Sequence, residues 1–391
     1  MTVGVIGATG ELGSAIIRRG ICGSDGAPAR VLHAGRRQSP TTPDERFRRV
    51  DINELDTVRA LAEECHLVIS AIGPSHATAL GIARTVLAAG ADYLDVGGPK
   101  RHRELSEVSV PADRCALFHA GALPGAADVL PRWLVRQVDR EAAGAKPGVG
   151  DRALTVTVGG CGAFTVAGAI DYLAGLTSGE VQPGAGWCAG RVVPGAAAIQ
   201  TRVDLPEFPD EISLYPYLDA PSAEFAAEAR LDEATWFAAM VGEGAAEVIR
   251  SACGMPLEEG AQLLHRFTTA QTAGRRPYVV ALADMAGCKA VLRAPGEPAL
   301  AGAMAAASAA AILAGEAPRG TALPAAAALE PEALMDRILA DSGARADASP
   351  GAEERGVESP APAPLPITLA LVPAQDGGED IEATAMEVGE L

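Results

Sequence analysis

Residues 3–16 read Val3-Gly4-Val5-Ile6-Gly7-Ala8-Thr9-Gly10-Glu11-Leu12-Gly13-Ser14-Ala15-Ile16. Thr2–Ile6 is a β-branched apolar run that ends in glycine. Glu11–Gly20 then carries Leu12, Ile16 and Ile17 at helical spacing. Three glycines at intervals of three thus lie between a predicted strand and a predicted helix. Gly7 permits a tight turn, Gly10 lets backbone approach a pyrophosphate, and Gly13 lets helix and strand pack closely. The helix N-terminus adds unpaired N–H groups and a positive dipole end for the anion. A glycine motif alone is weak; its strand–turn–helix context gives it weight.

The next 110 residues repeat that alternation. Arg30–Ala34, Phe47–Asp51, His66–Ala71, Tyr93–Val96 and Ala116–His119 read as strands. Leu55–Glu64 and His76–Ala89 read as helices. Continuous apolar strands separated by helices predict βαβ units, an α/β fold with an N-terminal Rossmann-type doubly wound parallel sheet. After helix Ala126–Val138 and a breaker-rich loop, Ala142–Asp151, the texture changes. Leu154–Val158 alternates, Thr165–Leu176 is helical, and Val192–Leu218 mixes Pro, aromatics and β-branched residues. Ser222–Cys253 and Leu257–Ala270 read as helices, and Tyr278–Ala283 with Cys288–Leu292 as paired strands around Asp284–Gly287. The expected organisation is a dinucleotide-binding domain over 1–125, a second α+β substrate and dimerisation domain over 126–295, C-terminal helices over 296–340 returning to the first domain, and an acidic, largely disordered tail over 341–391. Ala346–Pro366 is Ala, Pro, Glu and Ser, too polar to offset its ordering entropy. Ile367–Val372 is a lone strand-like stretch inside that tail, read as either docked or free.

The 391 residues carry 32 Lys+Arg and 50 Asp+Glu, a formal charge of −18. Eleven acids and two arginines fall in 341–391, so half of that excess belongs to the tail. The balance disfavours binding to a phosphate polymer, which needs concentrated positive charge. Seven scattered cysteines without CxxC or metal-ligand spacing read as reduced, structural and cytoplasmic, with no metal site. The N-terminus shows no signal-peptide pattern, and the alanine-rich run Ala299–Ala314 is too short and too weakly apolar for a membrane span.

The end of the second strand bears on cofactor choice. Enzymes that use NAD usually place an acid there for the ribose hydroxyls. This chain has His33-Ala34-Gly35-Arg36-Arg37, with no acid before Asp44. Two adjacent guanidiniums suit a 2′-phosphate, so NADPH is the expected cofactor. Asp51 ends the third strand, where a side chain commonly lies near the adenine. Ser70-Ala71-Ile72-Gly73-Pro74 ends the fourth at the carboxyl edge, beside the expected nicotinamide ribose.

Together, VGVIGATGELGSAI, VISAIGP, AGADYLDVGG, AGALPGAADVLPRWL and AAASAAAILAGEAPRG, in this order, resemble the saccharopine dehydrogenase-like reductase family across residues 3–340. The resemblance implies an NAD(P)-dependent oxidoreductase, often a homodimer, that interconverts an imine and a secondary amine. Some relatives reduce activated alkenes. It places Gly7, Thr9, Gly10, Glu11, Leu12 and Gly13 on the pyrophosphate and Arg36 and Arg37 on the 2′-phosphate. Ser70, Ala71, Gly73 and Pro74 fall beside the ribose and nicotinamide. Asp95, Gly97 and Gly98 match the loop that faces substrate, and Gly121, Pro124 and Gly125 the loop that closes over the nicotinamide. Residues 180–290 match only loosely, so substrate identity is not legible there.

Hydride transfer to C=N needs a positioned nicotinamide and a group that protonates the acceptor. Lys100 and His119, at the ends of neighbouring strands, are the catalytic candidates; His76, Tyr93 and Asp95 lie close by in sequence. Tyr215 and Tyr217 are candidate substrate contacts, with Arg202 nearby, and Asp128 reads as a first-turn acid of its helix. The expected substrate is a small or carrier-bound, amino-acid-derived or secondary metabolite. An enoyl reductase and a non-catalytic NADP(H)-sensing protein are the alternatives. A short-chain dehydrogenase is excluded, because no Tyr is followed four residues later by Lys.

Overall fold

The computed structural model describes residues 1–23, 26–38, 44–141, 152–340 and 366–372. Strands β1 (Thr2–Ile6), β2 (Arg30–Gly35), β3 (Phe47–Arg49), β4 (Leu67–Ser70), β5 (Asp92–Asp95) and β6 (Ala116–Phe118) alternate in part with helices α1 (Glu11–Arg19), α2 (Leu55–Glu63) and α3 (Ala79–Ala88). Helix α4 (Ala126–Glu141) leads to β7 (Ala153–Cys161) and α5 (Val166–Leu176). Short strands β8 (Gln182–Pro183), β9 (Gly186–Cys188), β10 (Arg191–Val193) and β11 (Gln200–Val203) follow, then β12 (Ile212–Leu218), α6 (Ala220–Glu228) and β13 (Glu233–Val241). Next come α7 (Ala245–Cys253), α8 (Leu257–Thr272), β14 (Tyr278–Met285) and β15 (Cys288–Ala294). Helix α9 (Glu297–Leu313), β16 (Ala322–Pro324), α10 (Ala325–Ala328), α11 (Pro331–Leu339) and β17 (Thr368–Val372) complete the described chain.

The first sheet has the order β16-β6-β5-β4-β1-β2-β3, and every pair in it is parallel. Strand order reverses between β1 and β4, which are direct neighbours. Such a switch point opens a crevice outside the carboxyl ends of the strands. All four residues of β4 are buried, as expected of a strand covered on both faces.

The second sheet is mixed, with the order β10-β9-β13-β7-β14-β15-β17, and β12 pairs with β13, β11 and β8. Its centre corrects the sequence reading. Ser222–Cys253 is not one helical stretch: α6 stops at Arg230, whose φ is +52°, and β13 runs parallel to β7. The alanines of β13 hide it from a propensity reading. Packing decides instead, because Trp236 and Phe237 are buried in cores on opposite faces of the sheet. The β14–β15 hairpin turns at Ala286 (φ +54°) and Gly287 (φ +81°), two consecutive left-handed residues that match the twist of the strands they join.

After β15 the chain returns to the first sheet. Helix α9 is buried on every side, and seven of its thirteen buried residues are alanine. At Gly302 a Cβ would stand 2.8 Å from the Cβ of Ala15, so α9 and α1 touch nearly backbone to backbone. Arg19 of α1 donates to the Ile338 carbonyl at the end of α11, at 2.6 Å. β16 then extends the parallel sheet beside β6.

The loop Ala142–Asp151 and, apart from Pro366, the segment Ala346–Pro366 lie outside the described residues. Within the tail, Thr368–Val372 is docked: β17 pairs antiparallel with β15, Leu369 opposite Leu292, and Ile367 and Leu369 pack on the main core. Every cysteine is free. Among the described residues no helix is long and apolar enough to cross a membrane, and no cluster of His, Cys, Asp and Glu could hold a metal ion. Replacing Leu369 by Pro should undock β17, because proline removes a ladder donor. Faster amide hydrogen exchange in β15, with the unfolding midpoint lowered by only a few degrees, is the expected result; unchanged exchange would mean that β17 does not protect β15.

Candidate active site

The turn between β1 and α1 is closed by the absence of side chains. Gly7 has φ +85° and donates its N–H to the Ala34 carbonyl at 2.9 Å. A Cβ on Gly7 would meet the Ala71 carbonyl at 2.7 Å, and one on Gly13 would meet the Gly7 carbonyl at 2.2 Å. Gly10 is the N-cap of α1 and brings no side chain to cap it, so the first N–H groups are left for a ligand. Thr9, Gly10, Glu11 and Leu12 line a cavity of about 2120 Å³ that reaches from this turn to the second sheet. Gly7 and Gly13 shape the turn from behind. These features fit the pyrophosphate of a dinucleotide.

Arg36 and Arg37 follow β2 directly and are exposed. The Gly7–Ala34 hydrogen bond fixes their loop beside the glycine turn, but neither lines the cavity. Asp51 is occupied within its own turn, where Oδ1 accepts from the N–H and Nδ2 of Asn53 at 3.0 and 3.1 Å.

Ala71 and Gly73 line the cavity, whereas Ser70 and Pro74 do not. Ser70 is buried and hydrogen-bonds Asp95 from below. Asp95, Gly97 and Gly98 form a tight bend in which the two glycines line the cavity and Asp95 lies behind them. The Gly97 N–H donates to Asp95 Oδ1 at 2.8 Å, and the Tyr93 hydroxyl donates to Asp95 Oδ2. Burial pushes the Asp95 carboxyl up to about 7 against these hydrogen bonds, with nearby Asp171 adding to the rise. A Cβ on Gly97 would overlap the Ser75 hydroxyl at 2.2 Å, and one on Gly98 would overlap the His119 ring at 2.4 Å.

Lys100, His119, Gly121, Pro124, Tyr215 and Tyr217 all line the same cavity. The fold therefore gathers residues from the loops after β5 and β6 and from β12 that lie up to 117 positions apart in sequence. Among the described residues Lys100 makes no ion pair. His119 has φ +55°, and its N–H donates to the Gly97 carbonyl at 2.6 Å. Burial, then the neighbouring His102, pushes its imidazole down to about 4. At neutral pH the His119 imidazole is therefore uncharged. Gly121 and Gly125 let the β6–α4 loop fold on itself, since a Cβ on Gly125 would meet the Gly121 carbonyl at 2.2 Å. Asp128 accepts from the Gly125 N–H at 2.8 Å; burial and then Asp219 push it up to about 6. Burial, with Asp219 and Asp128 adding, raises the Tyr217 hydroxyl well above its ordinary range. Arg202, paired with Glu211 at 3.4 Å, stands outside the cavity.

Three contributors escape the sequence reading. Asp171 of α5 reaches across to the loop after β4, where it accepts from the N–H groups of Ser75 and His76 at 2.8 and 3.0 Å and faces the His76 ring at 2.8 Å. Its signal was present: it is the only charged residue in the apolar helix VAGAIDYLAGL. The Ser75 hydroxyl also accepts from the Gly98 N–H at 3.2 Å, tying the β4 and β5 loops together. His102 receives Glu180 at its backbone N–H, at 2.5 Å, and Glu224 at Nε2, at 3.3 Å.

No protein-family model matches the chain, and no curated protein matches it. Among solved structures, saccharopine dehydrogenase (L-Glu forming) from Saccharomyces cerevisiae aligns with 86% of this chain and 96% of its own, at 14% identity and TM-score 0.54. The chain has a saccharopine dehydrogenase-like fold. Lower similarity is found to the WlbA dehydrogenase from Bordetella pertussis, which covers 87% of this chain and 93% of its own at 10% identity and TM-score 0.38. An NAD binding oxidoreductase from Klebsiella pneumoniae covers 75% of each chain at 11% identity and TM-score 0.35.

Asp95 makes the site's electrostatics testable. Between about pH 4, the ordinary carboxylate range, and its raised value of about 7, the folded chain holds a proton that the unfolded chain has released. Its contribution to stability is complete below this window and falls as pH rises through it. The wild type should therefore lose stability relative to Asp95→Asn from about pH 4 to about pH 7, read from denaturant midpoints. Parallel pH curves for the two proteins would show that Asp95 titrates as an exposed acid.

Proposed function

We propose that the chain is an NADPH-dependent reductase that transfers a hydride to a C=N bond, interconverting an imine and a secondary amine. One observation carries the reading: the side-chain-free glycine turn opens directly into a cavity that also holds titratable groups from both halves of the molecule. A reduced nicotinamide dinucleotide, when bound, supplies the hydride. The glycine turn and the uncapped N-terminus of α1 would hold its pyrophosphate, and Arg36 and Arg37 its 2′-phosphate. The loops ending at Gly73, Gly98 and Pro124 would surround its reactive end. At about 2120 Å³ the cavity exceeds the ~300–1,000 Å³ usual for small-ligand pockets. That leaves room for a dinucleotide and a substantial amino-acid-derived substrate together. The fold shared with saccharopine dehydrogenase (L-Glu forming) is consistent with this reading.

Purified protein should oxidise NADPH when given one of a panel of cyclic imines. Turnover of α,β-unsaturated thioesters alone would instead indicate alkene reduction, and tight NADPH binding without any turnover a sensor. Replacing both Arg36 and Arg37 by Ala should raise KM for NADPH about ten- to a hundredfold, the value of one or two charge-assisted hydrogen bonds. KM for NADH should change little. Equal losses for both cofactors would show that these arginines do not read the 2′-phosphate.

A further inference from the structure

The loop after β4 enters the cavity at the switch point of the parallel sheet, and there it is clamped by a carboxylate from the other half of the molecule. Asp171 Oδ2 accepts from the Ser75 N–H at 2.8 Å and from the Ser75 hydroxyl at 3.3 Å. Asp171 Oδ1 accepts from the His76 N–H at 3.0 Å and faces His76 Nδ1 at 2.8 Å. A carboxylate can only accept, so the Nδ1 position carries the hydrogen. The ring's second nitrogen, Nε2, is thereby the one left for exchange, and His76 and Asp171 both line the cavity. The alternatives on the same wall are less suited. The His119 ring is packed tightly against Gly98 and is uncharged at pH 7, while Lys100 has no partner among the described residues to fix its long stem.

From this geometry we propose that His76 is the proton donor of the reduction, with Asp171 as the positioning residue that fixes its tautomer and orientation. The proposal rests on the imine reductase reading. As the imine carbon accepts the cofactor's hydride, the C=N π pair moves to nitrogen. Nitrogen takes the proton from His76 Nε2, giving the secondary amine and a neutral imidazole, which water in the open cavity reprotonates. The carbon is reduced, the nicotinamide is oxidised, and in the reverse direction the same nitrogen accepts the amine proton. Asp171 lies on α5, so the proton donor is in place only when the second half of the chain is seated on the first. The other titratable groups near the pair are Asp95 at the end of β5, with Lys100, His102 and His119 on the loops after β5 and β6.

Two measurements test this, one independent of turnover. Ring-nitrogen NMR of the free protein, with the His76 signal identified by its loss in His76→Gln, should show the Nδ1–H tautomer in the neutral imidazole. In Asp171→Asn that preference should be lost. An Nε2–H tautomer in the wild type would overturn the pairing. Kinetically, His76→Gln should lower kcat about 10²- to 10⁴-fold, the usual worth of a general acid. It should leave the Kd for NADPH within about twofold and flatten the pH profile of kcat/KM near neutrality. Asp171→Asn should lower kcat by a smaller factor, about tenfold or more. Loss of activity in Lys100→Met with His76→Gln near wild type would move the donor to Lys100 and overturn the proposal. Turnover of no imine by the wild type would overturn the reductase reading and the proton step with it, although an Nδ1–H tautomer would still establish the pair itself.

Discussion

Everything in this molecule is arranged around a backbone contact that no side chain could survive. The Gly7 carbonyl lies where a Cβ on Gly13 would be, 2.2 Å away. That approach draws α1 onto the first strand and leaves its amino end uncapped at the mouth of the cavity. The same principle recurs behind it, where Gly302 of α9 meets Ala15 of α1. The pyrophosphate end of the site thus stands on two successive layers of close contact, a rigid foundation for a ligand that must be held to within a fraction of an ångström.

The two halves of the chain meet at the reactive end through polar clamps. Asp171 crosses from the second half to the loop after β4, and Glu180 crosses to His102. Desolvation outweighs the hydrogen bonds that Asp95 and Asp128 accept, which is why both carboxyls are raised above the ordinary range. The cavity and its floor therefore combine acids whose pKa is raised by burial, an uncharged imidazole, and one carboxylate that accepts from several donors. Those contrasts arise from environment, since Asp95, Asp128 and Asp171 are chemically identical side chains.

Much of the fold was legible because its local signals are strong. Gly7, Gly10 and Gly13 declare a turn whose geometry only glycine satisfies, and the apolar run ending at Ser70 declares a buried parallel strand. The hairpin at Ala286-Gly287 was bracketed by a turn signal. β13 was not legible, because its alanines suit a helix and only its neighbours β7 and β12 make it a strand. The docking of Thr368–Val372 depends likewise on an edge of β15 nearly eighty residues earlier. Within the site, sequence proximity pointed to Lys100 and His119, which do reach the cavity. It could not show that Asp171 faces His76, a contact spanning 95 positions that exists only once both sheets are assembled.

Helix α9 inverts the usual arithmetic of a protein core. In most interiors the damaging substitution is truncation, which leaves a void. α9 is buried on every side, with alanine at seven of its thirteen buried positions and glycine at its contact with Ala15, so most of its buried positions have little left to truncate. Its tolerance is bounded from above: each added methylene must displace a neighbouring backbone that cannot repack as a side chain could. Sequence drift along this helix is confined to a small-residue alphabet, and its alanine-rich composition is a record of distance rather than of hydrophobicity.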